Sequence, residues 1–320
     1  MPDPLIGAIG RRLFVGTLTL VAASLAIFLL LDVLPGNAAA TLLGTAARPD
    51  TVAALTRQLG LDQPAALRYA GWIGGLLTGD LGQSTVYGVP VAGLVADRLA
   101  VTLPLAALAL ALAVALGVTL GVVAAGGAGR WPDRAVAGLT QLGVAVPDFW
   151  VGLMLILVFS TGLHWTAAGG FPGWAAPGRA LQALLLPALA LAVPQAAVLA
   201  RITRASLLDV LGEDYVRTAE AKGAGRRRVL WRHALPNALP PLLTILGLQV
   251  SFLLAGAVLV ESVFTLPGLG RLAVQAVQQR DLVVMRSVAL LLAAAVIGCS
   301  TLVDLAIAWA DPRLRAARAS

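Results

Sequence analysis

Along this chain, apolar runs long enough to cross a bilayer alternate with short clusters of charge. A spanning helix needs about 20 mostly apolar residues. Charge-free windows of that length predict six of them. The first covers Leu13–Leu31, between Arg12 and Asp32. The second lies within Leu99–Gly129, bounded by Arg98 and Arg130. The third occupies roughly Ala135–Thr161 and carries one charge, Asp148. The fourth is Ala180–Ala200, between Arg179 and Arg201. The fifth lies within Ala234–Val260 and is closed by Glu261. The sixth follows Arg286, contains Asp304, ends near Ala310 and stops at Asp311-Pro312-Arg313.

Two connections stand out from this pattern. Pro35–Arg98 is a long polar interruption after the first span. Within it Val52, Leu55 and Leu59 recur at helical spacing, followed by an aromatic patch at Tyr69 and Trp72. Two short helices capping the outer face are expected there. The second connection, between the fourth and fifth spans, holds the only lysine, Lys222, and the triple arginine Arg226–Arg228.

Composition agrees with the spans. The chain is 59% hydrophobic and 12% charged, far from the balance of a soluble domain. The net charge of +7 would suggest nucleic acid in a soluble protein. Here the gathering of basic residues on the cytoplasmic side of spans explains it without nucleic acid. With the N-terminus inside, the inner segments hold 15 of the 23 Lys and Arg residues, so both termini are expected in the cytoplasm. Arg11-Arg12 with Ala38–Ala40 has some look of a cleaved leader. The run is too long for a signal core and five further spans follow, so an anchor is the better reading. The single cysteine, Cys299, allows no disulfide within the chain and no cysteine metal cluster.

The inner connection predicts a turn–helix–turn. The fourth helix is expected to continue through "RITRASLLDVL" to Gly212. Glu213-Asp214 then opens a short helix that Lys222 and Gly223 close, and acids at its start suit the helix dipole. Glu213 and Arg217 stand at i, i+4, the favourable order for a pair. Tyr215, Val216 and Ala219 would form a small apolar face. Gly225 permits a second turn, "RRRVLWRHA" returns, and Pro236 opens the fifth span. A helix this short is not stable alone and needs a surface. Anionic lipid would account for Arg226–Arg228. A cytoplasmic protein partner would account for the whole turn–helix–turn.

The stretch resembles the EAA loop of binding-protein-dependent ABC transporter permeases, whose pattern is EAA, three residues, Gly, nine residues, then I-x-L-P. Gly223, Ala219 and Leu235-Pro236 fall on that pattern, while Arg217, Thr218 and His233 depart from it. The departures resemble the dipeptide/oligopeptide/nickel branch, as do "YVRTAEAKG", "RHALPNA", "LGLDQP", "GDLGQS", "RLAVTLPLA", "VESVFTLPGLGRL" and "VDLAIAWADPRLR". Glu220 stands where that branch often has a basic residue, and Asp148 where serine is usual.

The resemblance implies an all-α integral membrane protein with the six-helix type I ABC importer fold. Its parts would be residues 1–34 (tip and first span), 35–98 (helical extracytoplasmic loop), 99–310 (five-helix core with the coupling loop at 201–236) and 311–320 (tail). It implies a permease subunit in the bacterial inner membrane, carrying short peptides, with nickel complexes or another small solute as the alternative. Expected partners are a second homologous permease, two ATPase subunits or domains, an extracytoplasmic binding protein and the bilayer, without nucleic acid. ATP and Mg would sit on the ATPases, with no cofactor, metal or catalytic residue on this chain. The coupling residues would be Asp214, Tyr215, Arg217, Ala219, Glu220, Lys222, Gly223 and Gly225.

The residues themselves bear on the chemistry too. Lys222-Gly223 lacks the flanking residues of a P-loop, and His164 and His233 fall on opposite sides of the membrane, so no paired-histidine metal site forms. Ionisable and polar groups at membrane depth usually face a bundle interior or a watery cavity. Asp148, Glu261 and Gln249 are therefore candidates for a path or gate, with Gln195 and Ser251 beside them. Each acid also has a structural reading: Asp148 at a proline-loosened turn, Glu261 at the outer interface, Asp304 paired to an inner arginine. A stand-alone ion-coupled carrier or channel using Asp148 and Asp304 is an alternative that leaves the inner loop unexplained; a membrane scaffold is another, which predicts partners but no transport and no need for Asp148.

Overall fold

The computed structural model describes residues 4–33, 47–58 and 62–310. Described residues are helical apart from turns, loops and one isolated bridge between Gln83 and Pro90. In chain order the helices are α1 (Pro4–Val33), α2 (Pro49–Gln58), α3 (Ala65–Leu77), α4 (Val91–Gly126), α5 (Trp131–Ala145) and α6 (Asp148–Leu155). There follow α7 (Pro177–Leu211), α8 (Asp214–Ala221), α9 (Leu235–Val263), α10 (Leu269–Gln279) and α11 (Leu282–Ala310). Helix α6 runs on into a π-helical turn, Ile156–Gly162, and another π turn, Val229–Ala234, precedes α9.

Among the described residues five helices are long and apolar enough to cross a membrane, and a bent pair brings the number to six if it is counted as one span. The predicted third span is that pair: α5 and α6 meet at 103°. Its hinge is Val146-Pro147, where Val146 is extended at φ −94°, ψ 127°. Proline crowds the residue before it out of the helical region. Because the hinge is itself apolar, an apolar window runs straight through it.

Other boundaries also move. Helix α4 starts at Val91, not Leu99, so Asp97 and Arg98 lie inside it. Helix α11 starts at Leu282, which places Arg286 within its second turn and not before the span. The two expected short helices are α2 and α3. Leu59, the side chains of Leu55 and Asp304, the Pro35–Ala46 part of the outer loop and the stop at Asp311–Arg313 lie outside the described residues. Helix α10 has no counterpart among the predicted elements.

The chain forms two compact units, one of Met1–Gly10, Leu103–Leu266 and Cys299–Ser320, the other of Arg11–Thr102 and Pro267–Gly298. In the first, α5, α6 and α9 pack on α7. Helix α7 suits that central place because it buries small side chains, among them Ala188, Ala192, Ala196 and Ala200. Small residues let helix backbones approach where lipid supplies no hydrophobic drive between them. Gly117 of α4 shows how close: a Cβ there would lie 2.6 Å from Leu199 Cβ of α7.

In the second unit, Val91 and Val95 of α4, Leu269 and Leu272 of α10, and Val284 and Val288 of α11 form the core. An aromatic cluster adds Phe28 of α1 and Tyr69 and Trp72 of α3, with centroids 5.4–6.3 Å apart. The loop Gly79–Pro90 is held by Asp281, which is fully buried. Its carboxylate accepts from Ser84 Oγ at 2.5 Å, Val86 N at 3.3 Å and Val284 N at 3.2 Å. Asp281 thereby caps α11, and the buried charge meets the donors it needs.

Candidate functional site

Between α7 and α9 lies α8, a short helix with opposite inner and outer faces, followed by a three-residue helical turn at Arg226–Arg228. Glu213 is extended at φ −75°, ψ 147° and precedes α8, whose first turn carries Asp214. At the other end Gly223 takes φ +86°. Gly223 N donates to Glu220 O at 2.9 Å, and Ala224 N to Ala219 O at 3.1 Å. This pair of bonds is a Schellman closure, which satisfies carbonyls the helix would leave open and asks for a left-handed residue. A side chain at Gly223 would meet no neighbour within 4 Å, so what demands glycine there is the backbone angle, not space. Gly225 differs from expectation: at φ −64°, ψ 149° it adopts an angle open to any residue.

Val216 is the anchor of α8, 1% exposed, with Ala219 half-buried beside it. Tyr215 is not on this inner face but 44% exposed. Arg217 meets Asp214 at 3.5 Å in place of Glu213, and both side chains are largely in solvent. Glu220 and Lys222 are exposed as well. The short helix thus seats one small apolar side on its own chain and turns Asp214, Tyr215, Arg217, Glu220 and Lys222 outward.

The return leg ties this helix to the spans. Helix α8 packs on the π turn Val229–Ala234. From that turn Leu230 and Ala234 enter a buried cluster with Val122 and Ala125 of α4, Leu207 of α7 and Ala238 of α9. Arg226 Nε donates to Gly126 O, the end of α4, at 3.0 Å, so a cation meets the negative end of that helix. Just after the π turn, Pro236 has no N–H to give the preceding turn, and Asn237 Nδ2 donates to His233 O at 2.7 Å.

A second tie was not legible from the sequence. Arg204 of α7 grips Asp133 of α5 through two bonds, Nε to Oδ1 at 2.5 Å and Nη2 to Oδ2 at 2.8 Å. Asp133 Oδ2 also accepts from Gly129 N at 2.9 Å. The only local signal was an acid in the first turn of a helix beginning at Trp131-Pro132. Beside the pair lies a cavity of about 360 Å³ that Arg134, Arg201 and Thr140 also line.

The candidate path residues lie apart. Asp148 begins α6, directly after the hinge, and is not at the middle of a straight span. Phe149 N donates to its Oδ1 at 2.7 Å. Its Oδ2 sits where a side chain at Gly256 of α9 would be. Gln249, 1% exposed, donates from Nε2 to Gln195 O of α7 at 3.0 Å, while its Oε1 and Ser251 Oγ are buried without a partner. Gln249 and Gly256 are two helical turns apart and share a face of α9. The structure therefore sets Asp148 and Gln249 along one seam beside α7. Glu261 is fully buried near the end of α9, away from that face.

Beyond these residues, a cavity of about 700 Å³ is lined by His164, Trp165, Phe171, Arg179, Gln182 and Phe264. His164 holds a left-handed backbone at φ +56°.

Comparison with known proteins meets this arrangement from outside. Residues 117–316 match the family described as "Binding-protein-dependent transport system inner membrane component", and residues 5–106 match its N-terminal membrane component. A Brucella abortus (strain 2308) protein named for a peptide transport system permease is 41% identical over 289 residues, 90% of this chain and 92% of its own. The glutathione transport system permease of Escherichia coli K12 is 39% identical over 297 residues, 93% of this chain and 95% of its own. Among solved structures, the MetNI methionine ABC transporter in an inward-facing conformation superposes with a TM-score of 0.56 at 19% identity, over 67% of this chain and 94% of that one. That likeness concerns the fold alone.

Proposed function

The chain belongs to the binding-protein-dependent transport system inner membrane components, and from that premise we propose that it is one of two permease subunits of an ATP-driven importer. The proposed cargo is short peptides. Relatives at about 40% identity are named for peptide and for glutathione transport, and glutathione is itself a tripeptide. A binding protein outside the membrane would deliver the cargo. ATP and Mg would be held by two ATPase subunits on the cytoplasmic side, where both termini also lie.

The observation that carries this reading is the two-faced α8. A helix of eight residues gains little from its own hydrogen bonds, so its order depends on what it touches. Val216 supplies the inner contact. The outward row of Asp214, Tyr215, Arg217, Glu220 and Lys222 is left for a partner. In operation, closure of the ATPase pair on ATP pushes this row. The buried cluster at Leu230 and Ala234 passes the displacement to α4, α7 and α9. The spans then exchange inward- and outward-facing arrangements, an equilibrium biased by partner contacts and not a covalent reaction. Asp148 and Gln249 are the proposed polar points of the path, with Glu261 a structural acid near its outer end.

The test is co-purification with transport. In gentle detergent the chain should bring down a second permease and P-loop ATPases, and the reconstituted complex should import peptide only with ATP. Gly223→Arg forces a side chain into a left-handed angle, at about 1–2 kcal/mol, and should leave insertion intact while uptake falls at least tenfold. Unchanged ATP-driven uptake in that variant would contradict the coupling role. Uptake by the chain alone, without ATP, would contradict the importer reading.

A further inference from the structure

We propose that the second compact unit holds a phospholipid by its phosphate, at a site built around Arg286 and Trp72. The start is a pair of unmet donors. Trp72 is 5% exposed and its Nε1–H has no hydrogen-bond partner. Arg286 Nε is likewise buried and unpartnered. The two belong to one site, since the Arg286 guanidinium lies 5.5 Å from the Trp72 ring centroid. The ring face attracts the cation but accepts none of these N–H bonds, and a buried donor left unpaired is costly.

The acids around this site are already occupied. Asp32 is bound to Arg68 at 2.6 Å, and Arg68 in turn lies 5.7 Å over Phe28. Asp281 is taken by Ser84, Val86 and Val284. The cluster therefore keeps two inward N–H donors without an acceptor, one of them on a guanidinium. The complementary ligand is an anionic group with at least two acceptor oxygens, since a charged acceptor makes the stronger bond to a guanidinium.

Position in the fold selects the source of that anion. Arg286 lies four residues into α11, a helix that can span the membrane, which is about 6 Å along its axis. Phe28 and Trp72 join Leu290 of α11 in one buried cluster, with Ile27, Tyr69 and Leu76 packed around it. Tyr and Trp gather at the headgroup level, and an arginine near a helix end reaches it, where lipid phosphates are the abundant anion. Just before Asp32, Leu25, Leu29 and Leu30 are 44–71% exposed and offer an apolar strip for the acyl chains of the same molecule. A phosphate on Arg286 and Trp72 with its chains along α1 satisfies both orphan donors and covers exposed apolar surface.

The experiment is native mass spectrometry of the intact, purified complex, delipidated and then titrated with dioleoylphosphatidylglycerol. The phosphate-free control is dioleoylglycerol. Wild type should retain one phospholipid more tightly than the rest. Arg286→Gln should weaken that one site by about tenfold or more, and Trp72→Phe, which keeps the ring but loses the donor, by several-fold. Dioleoylglycerol should show no such site in any form. Equal phospholipid retention in wild type and both variants would overturn the proposal. So would equal binding of dioleoylglycerol, which would mean apolar contact only, or displacement of the lipid by millimolar inorganic phosphate, which would mean a site for free anions. If Arg286→Gln does not assemble, Trp72→Phe decides alone by the same criterion.

Discussion

Two loops of this protein use their polar residues in opposite ways. The loop at Gly79–Pro90 directs its polar groups inward: Ser84 and Val86 bind the fully buried Asp281, and Ser287 Oγ donates to Leu81 O at 3.2 Å. The loop at Asp214–Gly225 buries one valine and leaves its charges outside. A loop whose donors and acceptors are met within the chain is a finished structural element. A loop ordered by one apolar anchor and a glycine turn, with its charged row unpaired apart from one exposed contact, fits the proposed role of half of an interface.

The difference sets a ranking of effects. Replacing Asp281 with alanine should be the most damaging to stability. It strands three donors, at on the order of 3–5 kcal/mol in total, and should lower the thermal midpoint in detergent sharply. A midpoint near that of wild type would remove the contrast between the loops. Arg226→Gln sits between the extremes. It loses one bond to the end of α4 at Gly126, at about 0.5–1 kcal/mol, and should loosen the return leg. Hydrogen exchange should then rise at residues 122–126 and 226–230 together; a rise in one segment alone would separate them. Arg217→Gln should have the smallest effect on stability, since its partner Asp214 is nearly all in solvent and exposed pairs contribute little. Its midpoint should not change measurably, whereas ATP-driven uptake should fall several-fold.

The same contrast explains what could be read from residues alone. Apolar windows place the spans, because lipid requires long apolar helices whatever their tertiary neighbours. Glycine at 223 and acids at 213 and 214 mark the ends of α8, because helix ends are local. What the windows could not carry was distance. Asp133 finds Arg204 across 71 positions and Ser84 finds Asp281 across 197, and no periodicity announces either pair. The hinge at Val146-Pro147 was hidden for another reason: it is as apolar as the helices it joins. Tyr215 was misjudged because Tyr215 and Val216 are neighbours in sequence, yet about 100° of helical rotation points the tyrosine outward and the valine inward.

The central claim is that the outer face of α8 docks an ATPase, and cross-linking tests it most directly. Cys299 is the only native cysteine, so a Cys299→Ser background carrying Arg217→Cys offers one thiol on that face, to be labelled with a benzophenone maleimide in native membranes. The account predicts a light-dependent adduct with a P-loop ATPase, absent when the label is placed by Val86→Cys on the self-contained loop. An Arg217→Cys adduct with lipid alone, in membranes that still show ATP-driven uptake, would contradict it.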